Sequence, residues 1–212
     1  MNSTLLFTLV ITYLIAYLFG SIPFALIIGK VFYKTDIRNF GSGNLGGTNA
    51  GRVLGKVAGV SVAFLDLSKA FVVMWVAINF IPADYRSYVA FAGVFAAIGH
   101  CYPLFAQFKG GKAVSTAFGY LLGVSLFLVD PILVWILFFL PIALALTLLH
   151  FTKYVSFSAM VSVTFTVILS FFVQHDLTIS FALVLIDILL IYRHRSNIER
   201  LRNGTERKVT WI

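Results

Sequence analysis

Seven stretches of this chain are apolar for about long enough to cross a bilayer, and no other feature restricts its fold so tightly. A spanning helix needs roughly 17–25 predominantly apolar residues. The runs 4–29, 56–80, 86–105, 113–129, 131–150, 156–173 and 177–192 meet or approach that length. Of the 212 residues, 60% are hydrophobic and 11% charged, with a mean hydropathy of +0.96; a soluble domain carries about 25% charged residues. Backbone polar groups in lipid must bond within the protein, and long continuous apolar runs do so as helices. The expected fold is an all-α integral membrane protein with seven transmembrane helices, one polytopic membrane domain over residues 1–212. The run 113–129 is the weakest, since it contains Ser115, Thr116 and glycines. Five spans remain open if 113–150 folds differently. No internal repeat is visible. The first run lacks a basic flank, so no cleavable signal peptide is expected.

Basic residues give the orientation. With seven spans, the segments 30–55, 106–112, 151–155 and 193–212 share one side and hold thirteen of the sixteen Lys and Arg. The other side holds only Arg86, and Lys56 and Lys69 fall in the second span. The positive-inside rule then puts the N-terminus outside and the C-terminus, with the tail 193–212, in the cytoplasm. The formal net charge of +8 reads as topology and attraction to anionic lipid. Dispersal of these residues over juxtamembrane segments argues against nucleic acid as a partner. The single cysteine, Cys101, excludes an internal disulfide and a cysteine zinc site, and reads as a small buried apolar residue.

Against this hydrocarbon background, three polar stretches stand out, all on the basic side. The first is "NFGSGNLGGTNAGRVLG", residues 39–55, within the motif loop 30–55. Glycines permit positive φ and close backbone approach. Successive N–H groups in such a loop, followed by a helix N-terminus, suit an anion. Gly41, Gly43 and Gly46 would supply the backbone; Ser42, Asn44, Thr48 and Asn49 would add neutral donors. Arg52 adds a planar fork that fits phosphate. No Walker lysine follows and no strand precedes, so neither nucleotide motif applies.

The second stretch is "GHCYPLFAQFKGGKAVST", residues 99–116, enclosing the loop 106–112. Gly110 and Gly111 lie between Lys109 and Lys112, with Ser115 and Thr116 beyond. Lys112 is expected in the first turn of the fourth span, where a cation opposes the helix dipole unless an anion is bound. His100 lies in or near the interface, either as a hydrogen-bonded packing residue or as a functional one. The third stretch is "IYRHRSNIERLRNGTERKVTW" at the end of the last span. His194 and Asn197 share a helical face, and Arg193 and Arg195 flank His194 as further candidates or as membrane anchors. Ser156 is an N-cap of the sixth span or another donor to the site. Asp66 and Lys69, three residues apart, are expected to neutralise each other; Asp187 is expected to pair with Arg193 or with a neighbouring helix.

These stretches offer cations and donors but no pair of carboxylates, nucleophile elbow, HExxH or HxxxxD box. The histidines at 100, 150, 175 and 194 are scattered, so no metal site and no cofactor are expected. Such a site suits transfer between two phosphate-bearing substrates by positioning and charge stabilisation, and the membrane setting makes one of them a lipid.

"GSGNLGGTN…GR", "GHCYPLFAQFKGGKAVST" and "YRHRSNI", in this order, resemble the bacterial acyl-phosphate:glycerol-3-phosphate acyltransferases, the PlsY family, over nearly the whole chain. The resemblance implies a bacterial inner-membrane enzyme of seven spans. It would move an acyl group from acyl phosphate to the sn-1 hydroxyl of glycerol 3-phosphate, giving lysophosphatidic acid and inorganic phosphate. The soluble enzyme that makes acyl phosphate is then a candidate partner. Gly47 departs from the alanine more usual in that family, and Cys101 is an uncommon neighbour for His100. On this reading Ser42, Asn44, Thr48 and Asn49 hold the acyl-phosphate head group. Arg52 and Lys112 bind glycerol 3-phosphate or the developing charge, while His194 and Asn197 orient the acceptor or Lys112. The acceptor proton goes to His194 or to the leaving phosphate.

Two other classes compete with this reading. A transporter of a phosphorylated solute would place its site near the midplane on paired repeats, and no repeat is seen. A protein that recruits a partner through its basic tail would leave the glycine-rich stretches without a purpose.

Overall fold

A computed structural model describes residues 2–209. The described residues form ten α-helices and no strand: α1 Ser3–Gly20, α2 Phe24–Tyr33, α3 Gly47–Leu54, α4 Lys56–Ala77, α5 Val89–Cys101, α6 Val114–Phe127, α7 Leu140–Thr152, α8 Val155–Val173, α9 Leu177–Arg193 and α10 Arg195–Arg202. Short 3-10 turns cover Ile37–Asn39, Ala83–Tyr88, Leu104–Ala106 and Pro131–Leu133, and Trp135–Phe139 is a π-helical turn.

The helices follow the apolar runs with four differences. The run 4–29 is divided at Ser21–Pro23, because Pro23 has no N–H to continue the ladder. Ser21 closes α1 by donating both its N–H and its hydroxyl to the Tyr17 carbonyl. The segment 30–55, expected as a loop, contains the end of α2, a 3-10 turn and all of α3. Helix α6 has 14 residues, about 21 Å of helix at 1.5 Å per residue, short of a hydrocarbon core of about 30 Å. The tail 193–212 is not only a string of anchors: α10 leaves α9 at 57°, and the chain then folds back until Val209 N–H reaches the Lys153 carbonyl. By length and composition five helical segments can cross a membrane, or six if α9 and α10 count as one bent span. The described residues therefore form an all-helical, multi-pass membrane protein.

Helix α5 is the centre of the bundle. Its Ala90, Ala92, Ala96 and Ala97 are fully buried, and such small residues let neighbouring backbones come close. The contact with α1 shows how close. A Cβ on Gly20 would stand 2.3 Å from the Ala96 carbonyl oxygen, and one on Gly99 would stand 2.3 Å from that of Tyr17. Helices α4, α6 and α9 pack round it, filling the core with Met74, Tyr120, Leu121, Ile186 and Leu190. Phe7, Val60, Phe64 and Phe172 are exposed, as befits side chains that face lipid. Asp187 faces α8 and not Arg193; its carboxylate accepts the Thr164 hydroxyl at 3.0 and 3.1 Å.

Candidate active site

The three polar stretches meet at one cavity of about 740 Å³. The residues 41–52 form one wall, 108–115 a second and 193–207 a third, with Ser156 and the deeper Asp66 and His100 completing the lining. Every candidate from the sequence lines it except Gly111, which lies behind it.

In the first wall, Gly41 and Gly43 have φ of 63° and 68°, values that an L side chain rarely adopts. Asn49 sets the loop's shape. Its Oδ1 accepts Ser42 N–H at 2.9 Å, and its Nδ2 donates to the carbonyls of Ile37 and Phe40. Asn49 is buried and its side chain is fully engaged, so it holds the loop and is not the free donor expected from the sequence. By contrast, the side chains of Ser42, Asn44 and Thr48 line the cavity. Helix α3 opens at Gly47 with no side-chain cap, so its first N–H groups are aimed at the same space. Gly47 also has a packing reason: a Cβ there would lie 2.8 Å from the Gly59 carbonyl oxygen and 2.9 Å from Ala63 Cβ on α4. Arg52 is exposed at the rim.

The second wall works differently. Ala113 at φ 59° precedes α6, so Lys112 stands before the helix and not in its first turn. Arg193 donates from Nε to the Gly111 carbonyl at 3.0 Å and from Nη2 to that of Gly110 at 3.1 Å, and its guanidinium lies over the Tyr102 ring. Arg193 thus holds the turn, whereas Arg195 stacks outward on Tyr192. Lys109 and Ser115 line the cavity beside the turn.

The third wall carries a network that joins the second and third polar stretches and the start of α8. Lys112 Nζ donates to Asn197 Oδ1. Asn197 Nδ2 donates to Glu206 Oε1 at 2.6 Å. The same oxygen accepts the Ser156 hydroxyl at 2.7 Å, and Arg200 Nε donates to Oε2 at 2.7 Å. A cation on one side and a carboxylate on the other fix which way the Asn197 amide points. Ser156 makes no cap for α8; it tethers Glu206. Burial, with Arg200, Arg193 and Arg52 nearby and Glu206 opposing them, pushes Lys112 down to about 8. Hydrogen bonds from Ser156, Asn197 and Arg200 hold the Glu206 carboxyl below its ordinary range against the effect of its burial.

His194 ends α9 with Nδ1 2.8 Å from the Leu190 carbonyl oxygen. A carbonyl only accepts, so the ring proton is on Nδ1 and the lone pair on Nε2. Burial, aided by the charge on Lys112, pushes His194 down to about 4, and the ring is neutral near pH 7.

Sequence reasoning missed Glu206 and Arg200. The Asn203-Gly204 pair was the available sign: Gly204 at φ 68° turns the chain back and delivers Glu206. Taken together, the lining holds seven Lys and Arg against Asp66 and Glu206, and Asp66 is paired with Lys69 at 2.8 Å. Such a site attracts anions and can stabilise a phosphate leaving group. No Ser or Cys of the lining bonds to His194, so the arrangement holds no prepared nucleophile.

Comparison with known proteins agrees in kind. The family described as glycerol-3-phosphate acyltransferase matches residues 10–204. The glycerol-3-phosphate acyltransferase of Staphylococcus carnosus is 43% identical over 96% of this chain and 99% of its own. That of Bacillus subtilis is 45% identical, over 94% and 96%. Among solved structures, PlsY, an integral membrane glycerol 3-phosphate acyltransferase, was determined in a glycerol 3-phosphate form. It is 34% identical with a TM-score of 0.84, covering 95% of this chain and 96% of that one. Its lysophosphatidic acid form is 33% identical with a TM-score of 0.81, covering 95% of each chain.

Proposed function

Since the chain belongs to the glycerol-3-phosphate acyltransferase family, we propose that it draws its acyl group from an acyl phosphate and transfers it directly, with no covalent enzyme intermediate. The chain is an acyltransferase of phospholipid synthesis that acylates glycerol 3-phosphate to lysophosphatidic acid. The carrying observation for the donor is a cavity lined by seven cations and free donors but no engaged nucleophile. An acyl phosphate is already activated, and its leaving group is an anion that such a cavity stabilises.

In this step the sn-1 hydroxyl oxygen bonds to the acyl carbonyl carbon, the carbon–oxygen bond to phosphorus breaks, and the phosphate leaves with the electron pair. The wall around Ser42, Asn44 and Thr48, with the N-terminus of α3, holds the acyl-phosphate head group. Lys112 and Arg52 hold glycerol 3-phosphate or the developing charge, and Asn197 orients Lys112. The hydroxyl proton passes to the leaving phosphate: a histidine pushed down to about 4 is a weak base, and His194 Nε2 serves to orient the acceptor.

The chain forms one polytopic domain of seven spans, with α6 and its flanking residues as the short crossing. Its N-terminus lies outside, its tail in the cytoplasm, and its site faces the cytoplasm of a bacterial inner membrane. The thirteen basic residues on one side, together with convergence of those same segments on one cavity, support this orientation. The soluble enzyme that makes acyl phosphate is a partner from which donor could be delivered.

The test uses purified protein in mild detergent, given glycerol 3-phosphate with palmitoyl phosphate or, in parallel, palmitoyl-CoA. Phosphate release matched one-to-one by lysophosphatidic acid, with palmitoyl phosphate only, is expected. Product from palmitoyl-CoA would overturn the donor assignment.

A further inference from the structure

Asp66 and His100 at the deep end of the cavity, with Lys69 buried behind them, are three ionisable side chains that the reaction above does not use. Asp66 and Lys69 on α4 and His100 on α5 are 2%, 1% and 5% exposed. Lys69 Nζ lies 2.8 Å from Asp66 Oδ1 and 3.2 Å from His100 Nδ1; Asp66 Oδ1 is 3.4 Å from the same ring nitrogen. An ammonium group can only donate. The Lys69 contact therefore makes Nδ1 the acceptor and places the ring proton on Nε2. Charged groups inside a membrane bundle are costly to bury, and apolar side chains could have joined α4 to α5 instead.

The imidazole's other end shows what the cluster supports. A Cβ on Gly111 would lie 2.0 Å from His100 Nε2 and 2.6 Å from Cε1, so the ring edge rests against the glycine backbone. The His100 carbonyl accepts Gly111 N–H at 3.0 Å and would stand 2.1 Å from a Cβ on Gly110. On the opposite side Arg193 grips both glycine carbonyls. The turn is clamped between His100 and Arg193, and the next residue is Lys112. The Thr116 hydroxyl donates to the Asp66 carbonyl at 3.1 Å, tying the first turn of α6 to the same point on α4.

We infer that Asp66, Lys69 and His100 form a buried positioning unit for the transfer: the ion pair fixes the imidazole, and the imidazole sets the height and direction of the Gly110–Gly111 turn that carries Lys112 to Asn197. This inference rests on the role proposed for Lys112. The three are positioning residues and act through the turn. Misplacing a reacting group by about 1 Å can cost about 10²-fold in rate.

The test compares the wild type with Asp66→Asn/Lys69→Met, which keeps the shape and leaves no buried unpaired charge. With the variant monodisperse and helical, kcat/KM is expected to fall about 10- to 100-fold. The alkaline limb of its pH profile should move upward from about 8 as Lys112 leaves its half-buried seat among Arg200, Arg193, Arg52, His194 and Glu206. A variant that is merely less stable would lose active molecules and keep the limb where it was. A second pair tests the steric contact and decides if that variant does not fold. Gly111→Ala is expected to be nearly inactive, and His100→Ala/Gly111→Ala to recover at least about tenfold, because the ring that obstructs the new methyl is gone. An unmoved limb in the first variant, whatever its activity, or no recovery in the second, would overturn the unit. An inactive wild type would remove the proposed transfer as well, so the two failures are distinguishable.

Discussion

The stretches "GSGNLGG" and "KGGK" look like two copies of one device, yet their glycines answer different physical needs. Gly41 and Gly43 have positive φ; they are glycines because of their own backbone conformation, and the loop they form leaves Ser42, Asn44 and Thr48 facing the cavity. Gly110 and Gly111 have no such φ. They are glycines because His100 occupies the space a side chain would need, and the turn is held from both sides, by the His100 carbonyl on Gly111 N–H and by Arg193 on the two glycine carbonyls. The first wall is built to meet a ligand with free groups. The second is built to hold one residue, Lys112, in place.

This contrast predicts a graded response to substitution. Lys112→Ala should have the largest effect, a fall in kcat of about 10²- to 10³-fold, the cost of removing a group that stabilises developing charge, in protein that remains monodisperse and helical. Wild-type turnover would break the contrast at once. Gly110→Ala comes next: its Cβ would meet backbone at 2.1 Å, which cannot turn away, so thermal stability in detergent and activity should fall together. His194→Gln should cost less than about 10²-fold in kcat, since a full general base contributes about that much or more. Ser42→Ala and Thr48→Val, each removing one donor, should mainly raise KM by several-fold, in line with about 1 kcal/mol for a net hydrogen bond. Steady-state kinetics with both substrates varied separates these cases.

The pH profile sharpens the same comparison. Lys112 must carry its proton to stabilise phosphate, and in the free protein it is pushed down to about 8. The value of kcat/KM should therefore decline as pH rises through about 8. Bound phosphate favours the charged ammonium, so the limb for kcat should lie higher. Lys112→Arg, with a guanidinium that stays charged, should lose the limb along with much of its activity.

The all-helical membrane character and the convergence of the three stretches were legible because hydropathy and basic-residue placement act over long windows. What escaped had local or tertiary causes. Helix α3 opens Gly-Thr-Asn-Ala-Gly, poor helix formers. It forms because Gly47 and Gly51 let it press on Gly59 of α4, a packing gain that propensity does not contain. Lys112, expected in the first turn of a helix, stands two residues before α6 begins at Val114, since nothing in the sequence announces the left-handed Ala113. Glu206 was hidden in a tail whose charge reads as anchoring; only the reversal at Gly204 brings it to Asn197. The Asp66–Lys69 pair was expected, but not that His100, 31 residues beyond Lys69, closes on it.

Direct transfer is the claim on which the roles of both walls depend, and one measurement addresses it without any mutant. The protein is mixed with palmitoyl phosphate labelled in its acyl chain, with glycerol 3-phosphate withheld, then quenched and denatured. The account predicts no label on the protein and no burst of phosphate until glycerol 3-phosphate is added, when phosphate and labelled lysophosphatidic acid appear together. A burst of phosphate equal to the enzyme present, with the label bound covalently to the chain, would show an acyl-enzyme and contradict it.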